Sequence, residues 1–225
     1  PRPVSSAASD VYKRQFQGYG GEAELTLVEG VMGLFDGIGC SQDGSTAAVA
    51  HQLDLPVVLV VDAGGQAASL AAVVKGFRDH DPGLRIAGVV LNRVSTERHR
   101  ELLSAVLPSI EMPLLGCLPR NNALDLPSRH LGLAPVHELN KQAIRQEQWA
   151  RLAEQHLDLE TFHSLMKAPV AGDDPLAAIP PATGVELPVA VASDEAFHFR
   201  YPETEELLQR LGMPVLRWSL SLIHI

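Results

Sequence analysis

The chain has 225 residues, 46% of them hydrophobic and 20% charged, which gives enough apolar surface for one core or for one core and part of another. Its 27 acidic and 18 basic residues leave a net charge of -9, which argues against a general nucleic-acid binder but not against an anion held by local backbone N–H groups. The two cysteines, Cys40 and Cys117, are too few for a disulfide scaffold and fit a reducing compartment.

In chain order, residues 1–21 show no helical or strand period and are expected to be a tail. An α/β alternation then opens over residues 22–167. Leu25 to Val28 is a short apolar run with the character of a strand, followed by a glycine-rich loop from Gly30 to Gly44. A small-residue helix (Ser45–Gln52) and a strand (Val57–Asp62) come next. They are followed by a helix (Gln66–His80), a strand (Leu84–Leu91), a helix (Thr96–Leu107) and a strand (Leu114–Leu118). Continuous Val/Ile/Leu runs separated by helices are what a parallel sheet buried on both faces requires, so a doubly wound α/β fold is predicted. Val136 to Lys167 reads as two helices with Leu139, Ala143, Ala150, Ala153 and Leu157 on one stripe.

Residues 168–187 are dense in proline and glycine and predict a linker. From residue 188 to 225 a new pattern of strand, helix and strand begins, too short to bury a core alone. The longest apolar stretch, Pro56 to Val61, is far below the ~20 residues that span a bilayer. The start also lacks the basic-then-apolar order of an export signal, so a cytoplasmic protein with no membrane partner is expected.

Ligands of open parallel sheets bind beyond the carboxyl ends of the strands. Three such ends carry polar residues. At the first, Glu29 leaves the apolar run, Asp36 follows in the same loop, and Gly30, Gly33 and Gly37 allow close backbone approach. Two carboxylates on a glycine-rich loop suit Mg2+, which keeps its other positions for water and phosphate; a loop of solvated acids has the same spacing. At the second, Asp62 is expected chiefly to cap the following helix. At the third, Asn92 has the carboxamide that pairs with adenine N6 and N7, though a turn asparagine fits equally. Gly39 to Thr46 mimics a phosphate loop but has Ser45 where lysine belongs, so it is not one; Ser45 and Thr46 could still hold a carboxylate at a helix start. The nine histidines show no metal-ligand spacing.

The segment VEGVMGLFDG, with GSTAAVAHQLDLPVVLVVDA, GVVLNRV and LGCLPR after it, resembles the cobyrinate a,c-diamide synthase family, glutamine-dependent amidotransferases related to dethiobiotin synthetase. The likeness runs from about Glu24 to Met166 and resumes at VAVASDEAFHFRYP, which is similar to the first strand of the family's glutaminase domain. The resemblance implies ATP-dependent phosphorylation of corrin side-chain carboxylates, then amidation by glutamine-derived ammonia. It gives Glu29 the Mg2+ and phosphates, Asp36 the substrate carboxylate or acyl phosphate, Asn92 the adenine and Arg120 a nucleotide-side contact; Gly30, Gly33, Gly37 and Ser45 are expected from the loop itself to border the substrate. It also implies a P-loop-type fold here lacking its first strand and phosphate loop, and a glutaminase whose cysteine and histidine lie beyond residue 225. The chain by itself is therefore expected neither to hydrolyse ATP nor to use glutamine. A nickel-sirohydrochlorin a,c-diamide synthase, a non-catalytic domain of the partitioning-ATPase type and an inert α/β fragment are the alternatives, and a homodimer stays open.

Overall fold

The structure, a computed structural model, describes residues 13, 15–18, 20–21, 23–121, 125, 142–166, 177, 179–180 and 187–220. The chain divides into two compact units, Pro1–Val170 and Ala171–Ile225. Most of the expected linker, residues 168–187, lies outside the described residues.

The first unit is built on a parallel sheet of β1 (Val57–Asp62), β2 (Ile86–Val94) and β3 (Leu114–Pro119), in the order β1-β2-β3. Their runs of valine, isoleucine and leucine select extended backbone, since branched side chains pack well on a pleated surface. β2 is central and buried on both faces from Gly88 to Leu91. β1 departs from the expectation of two covered faces: Leu59 and Val61 are buried, whereas Val60 is 63% exposed. Val60 and Asp62 share the exposed face of β1, opposite the face on which Leu59 and Val61 enter the core; among the described residues no strand pairs with its outer edge.

Helix α1 (Thr46–Leu53) precedes β1, α2 (Ser69–His80) connects β1 to β2, and α3 (Glu97–Val106) connects β2 to β3 through a 3-10 turn at Leu107–Ile110. α2 and α3 contact each other and that turn, so both crossovers pack together. Ser45 caps α1 and Thr96 caps α3, each side-chain oxygen accepting a backbone N–H of the first turn. The core joins Leu70 and Val74 of α2, Leu103 of α3, and Val89 and Leu91 of β2, all 0% exposed.

Leu25–Val28 is not a strand. It has no regular secondary structure and pairs with nothing among the described residues, and Leu27 and Val28 are exposed. The described residues 15–18 are helical although no period announces it; so short a stretch is below what a 3.6-residue repeat can register. The helical stripe also shifts. In α4 (Gln142–His156) Ala143 and Ala150 face solvent, while Arg145, Trp149, Leu152, Ala153 and His156 form the half-buried side; α5 (Leu159–Leu165) follows. The turn between α4 and α5 fixes that rotation: Leu157 bridges antiparallel to Gly116 of β3, and Asp158 N donates to Leu115 O at 2.8 Å.

The second unit contains β4 (Val189–Ala192), α6 (Pro202–Arg210) and β5 (Val215–Trp218), with β4 and β5 parallel. Asp194 organises the loop after β4, accepting from Ala196 N and Phe197 N and from Ser219 Oγ and Leu220 N after β5. Among the described residues no helix is long and apolar enough to cross a membrane.

Adjacent leucines in α3 provide a test of the packing. Leu103→Ala is expected to cost about 2–5 kcal/mol in chemical denaturation, as removal of a fully buried side chain does, and Leu102→Ala, 44% exposed, less than about 1 kcal/mol.

Candidate functional site

The loop from Gly30 to Gly44 folds onto the start of α1. A side chain at Gly30 would put its Cβ 2.6 Å from Thr46 Cγ2 and 2.7 Å from Thr46 Oγ1, so only glycine lets the backbone pass there. Gly33 faces the Asp36 carboxylate, with Asp36 N donating to Gly33 O at 3.0 Å in a tight turn. At Gly37 a Cβ would stand 2.6 Å from the carbonyl oxygens of both Ser41 and Asp43, and Ile38 N closes the loop on Asp43 O at 2.9 Å.

Apolar contacts hold this loop to the body of the domain. Leu34 and Ala47 are buried in the core, and Ala47 N donates to Leu34 O at 2.9 Å. The Phe35 ring stacks on Phe77 of α2 with centroids 5.9 Å apart and lies 4.5 Å from the His80 ring, which also meets Gln42 Nε2. Glu29 and Asp36 are both exposed on this anchored loop. Among the described residues neither carboxylate has an ion-pair partner, so both face solvent free to bind.

Ser45 has a different role from the one expected. It is 1% exposed and its Oγ accepts from Ala48 N at 3.1 Å, while Ser45 O takes Val49 N. With Ala47 N already bound to Leu34 O, three of the first four amides of α1 are satisfied internally. At the helix start the Ser45 side chain is thus buried as the cap of α1, and among the first four amides only Thr46 N has no such partner.

A second group gathers at the carboxyl ends of the strands. Gly64, Gly65, Arg93, Ser95 and Arg120 line a cavity of about 280 Å3 there. Asp62 and Asn92 are register partners at the ends of β1 and β2. Asp62 does not cap α2, whose first position follows Ala68 with no side-chain bond. It accepts from Gly64 N at 2.9 Å and pairs with Arg93 Nη1 at 2.8 Å. The Gly64 hydrogen bond, then the charges of Arg93 and Arg120, hold its carboxyl below the usual carboxylate range.

Asn92 Oδ1 accepts from Arg93 N at 2.8 Å, which leaves the amide NH2 to donate outward. Arg120 N continues the sheet by donating to Val94 O at 3.1 Å, and its side chain is exposed at the rim. Behind the cavity His99 bridges Ser95 N (3.2 Å) and Gln66 O (2.7 Å). A backbone N–H can only donate and a carbonyl only accept, so the ring carries its proton on Nε2.

Glu29, Gly30, Gly33, Asp36 and Gly37 lie in one loop, while Asn92 is the register partner of Asp62 and Arg120 lines the strand-end cavity with Arg93. Among the described residues no hydrogen bond or ion pair joins the two groups. Arg93, which lines the cavity, was not singled out from the sequence; it stands two residues after the apolar run of β2, beyond Asn92. Among the described residues no three His, Cys, Asp or Glu side chains cluster as a metal cage. Two exposed carboxylates without a third ligand suit an ion that keeps water and phosphate as its other ligands, so the loop fits Mg2+. Cys117 belongs to the core rather than to chemistry: burial pushes its thiol up, away from the thiolate. Cys40 is exposed and free.

A family profile described as an AAA domain matches residues 5–128, reaching into the segment before residue 22 that the sequence alone sets apart. The chain is similar to the cobyrinate a,c-diamide synthase of Synechococcus sp., 38% identical over 93% of this chain and 47% of that protein. It is 45% identical to the cobyrinate a,c-diamide synthase of Gloeobacter violaceus over 87% of this chain and 43% of the relative. It is 39% identical to the hydrogenobyrinate a,c-diamide synthase of Mesorhizobium japonicum over 88% of this chain and 45% of the relative. The chain spans about half the length of the curated relatives it matches. No solved structure gives a significant match.

The lowered Asp62 carboxyl has a definite pH signature. Its folded pKa lies below its unfolded one, so its contribution is present above the ordinary aspartate value and is lost as pH falls through the folded value. Carboxyl NMR is expected to show Asp62 titrating below an ordinary aspartate, and Arg93→Ala is expected to move the midpoint only part of the way back, because the Gly64 N–H stays. Ser45→Ala is expected to lower stability by about 0.5–2 kcal/mol through loss of the cap, as read by thermal melting.

Proposed function

The chain belongs to the AAA domain family and is a relative of the cobyrinate a,c-diamide synthases; from that premise we propose that it forms the larger part of the ATP-dependent half of an amidating ligase. The substrate is a cobyrinate-type corrin whose a and c side-chain carboxylates become amides, the nitrogen coming from glutamine as ammonia. The observation that carries this reading is the anchored loop with Glu29 and Asp36 exposed on glycine-built turns.

The reaction balances in two steps. A carboxylate oxygen of the corrin arm takes the γ-phosphoryl group of ATP, giving an acyl phosphate and ADP. Ammonia then adds to the acyl carbon, phosphate leaves, and a proton is lost from nitrogen. Magnesium bound with ATP neutralises charge on the transferred group, which is most of what phosphoryl transfer asks of a protein.

Glu29 would hold that ion at the loop, whose Gly30 backbone passes close to the first turn of α1. Asp36, on the turn closed by Gly33, would meet the carboxyl arm and accept the proton released as the C–N bond forms. Gly33 and Gly37 keep side chains out of the approach to that arm. Asn92 pairs with the adenine edge and Arg120 borders the nucleotide in the strand-end crevice. Glutamine hydrolysis is assigned to a glutaminase domain of which β4, α6 and β5 form the start. The reading is that of a cytoplasmic enzyme.

The test separates the two acids in the complete enzyme. Asp36→Asn is expected to lower kcat by about 10²–10⁴-fold, the usual loss of a general base, with ATP affinity little changed. Glu29→Gln is expected to lower both turnover and magnesium-dependent ATP affinity. Equal losses of both quantities in Asp36→Asn would move that residue to the nucleotide, and no loss in either variant would remove the loop from the site.

A further inference from the structure

Arg93 breaks a rule that the rest of β2 obeys. Its φ is +62°, in the left-handed region that glycine enters freely and a long side chain seldom does. It also sits in an irregularity of the ladder. β2 advances from Leu91 to Val94 while β3 advances only from Cys117 to Pro119, so β2 carries one extra residue there. Such bulges re-aim a side chain at the end of a strand. Here the guanidinium is sent across to β1, where Nη1 meets Asp62 Oδ2 at 2.8 Å, and it borders the cavity with Arg120, Ser95, Gly64 and Gly65.

Stability does not account for this arrangement. The ion pair is half exposed on both sides, and exposed pairs contribute little. The left-handed backbone works against the fold. A side chain retained at a strained position, for a contact of small stabilising worth, has its use in what the cavity binds.

We propose that Arg93 is a base-binding residue of the nucleotide pocket, its guanidinium plane held by Asp62 against the face of a purine whose edge meets Asn92. This inference rests on the nucleotide reading of the crevice given above. A guanidinium is planar and stacks on aromatic faces. The cavity of about 280 Å3 has room for a heterocycle. Asp62 completes the device by orienting the guanidinium from the side away from the ligand.

The test uses the 225-residue chain and three probes, Mg·ATP, adenosine and inorganic pyrophosphate, followed by ligand-observed NMR and calorimetry. Arg93→Ala is expected to weaken ATP and adenosine by the same factor, about 3- to 30-fold for a stacked cation, and to leave pyrophosphate unchanged. Arg93→Lys is expected to behave nearly as Arg93→Ala, because lysine lacks the planar fork. Arg93→Gly separates ligand binding from folding: glycine relieves the left-handed strain, so its melting temperature should be at or above that of Arg93→Ala while its affinity loss is the same. Losses that follow melting temperature, or that fall on ATP and pyrophosphate but spare adenosine, overturn the assignment of Arg93 to the base. Failure of the wild-type chain to bind either ATP or adenosine overturns the nucleotide reading itself and this inference with it.

Discussion

The hydrogen bond from Ala47 N to Leu34 O, with both side chains sunk in the core, is the contact on which the candidate site depends. A glycine-rich loop is costly to order, at about 1–2 kcal/mol of backbone entropy per residue. Burying one leucine returns only about 1.5–3 kcal/mol. The loop therefore needs several anchors, and it has them in Leu34, in the Phe35–Phe77 stack and in the Ile38–Asp43 closure. Between these fixed points Asp36 stays in solvent, and Glu29 is exposed ahead of them, next to Gly30 where the backbone passes Thr46. The rigidity lies in apolar residues that do no chemistry, and the carboxylates inherit their positions from them.

Charge divides the two halves of the site. The rim loop offers two acids with no basic partner among the described residues, whereas the strand-end crevice offers Arg93 and Arg120 with Asp62 as their counter-charge. A polyanionic nucleotide would be drawn to the second and repelled by the first. On the proposed reading, a cation between the loop and the phosphates would let both groups serve one ligand.

The sheet was legible in the sequence because β1, β2 and β3 are nearly unbroken runs of Val, Ile and Leu, and the caps at Ser45 and Thr96 marked the helix starts. Leu25–Val28 was not, since a strand is defined by a neighbour that a local apolar run cannot supply. Of the expected stripe, Ala153 and Leu157 are half-buried while Ala143 and Ala150 face solvent; Leu157 and Asp158 pair with β3, a contact that lies outside any helical period. At the candidate site, spacing was enough to place Glu29 and Asp36 in an exposed glycine-rich loop. The Asp62–Arg93 pair was not legible: it joins residues 31 apart in sequence, through a bulge and a left-handed φ that no pattern of residue types encodes.

The most direct test of the central claim replaces magnesium with paramagnetic Mn2+ in the presence of ATP and follows backbone amide resonances. The account expects strong, selective broadening at Glu29 to Gly37 that is lost in Glu29→Gln. Broadening confined to other acidic surface residues, with the Gly30–Gly37 amides unaffected, would contradict it.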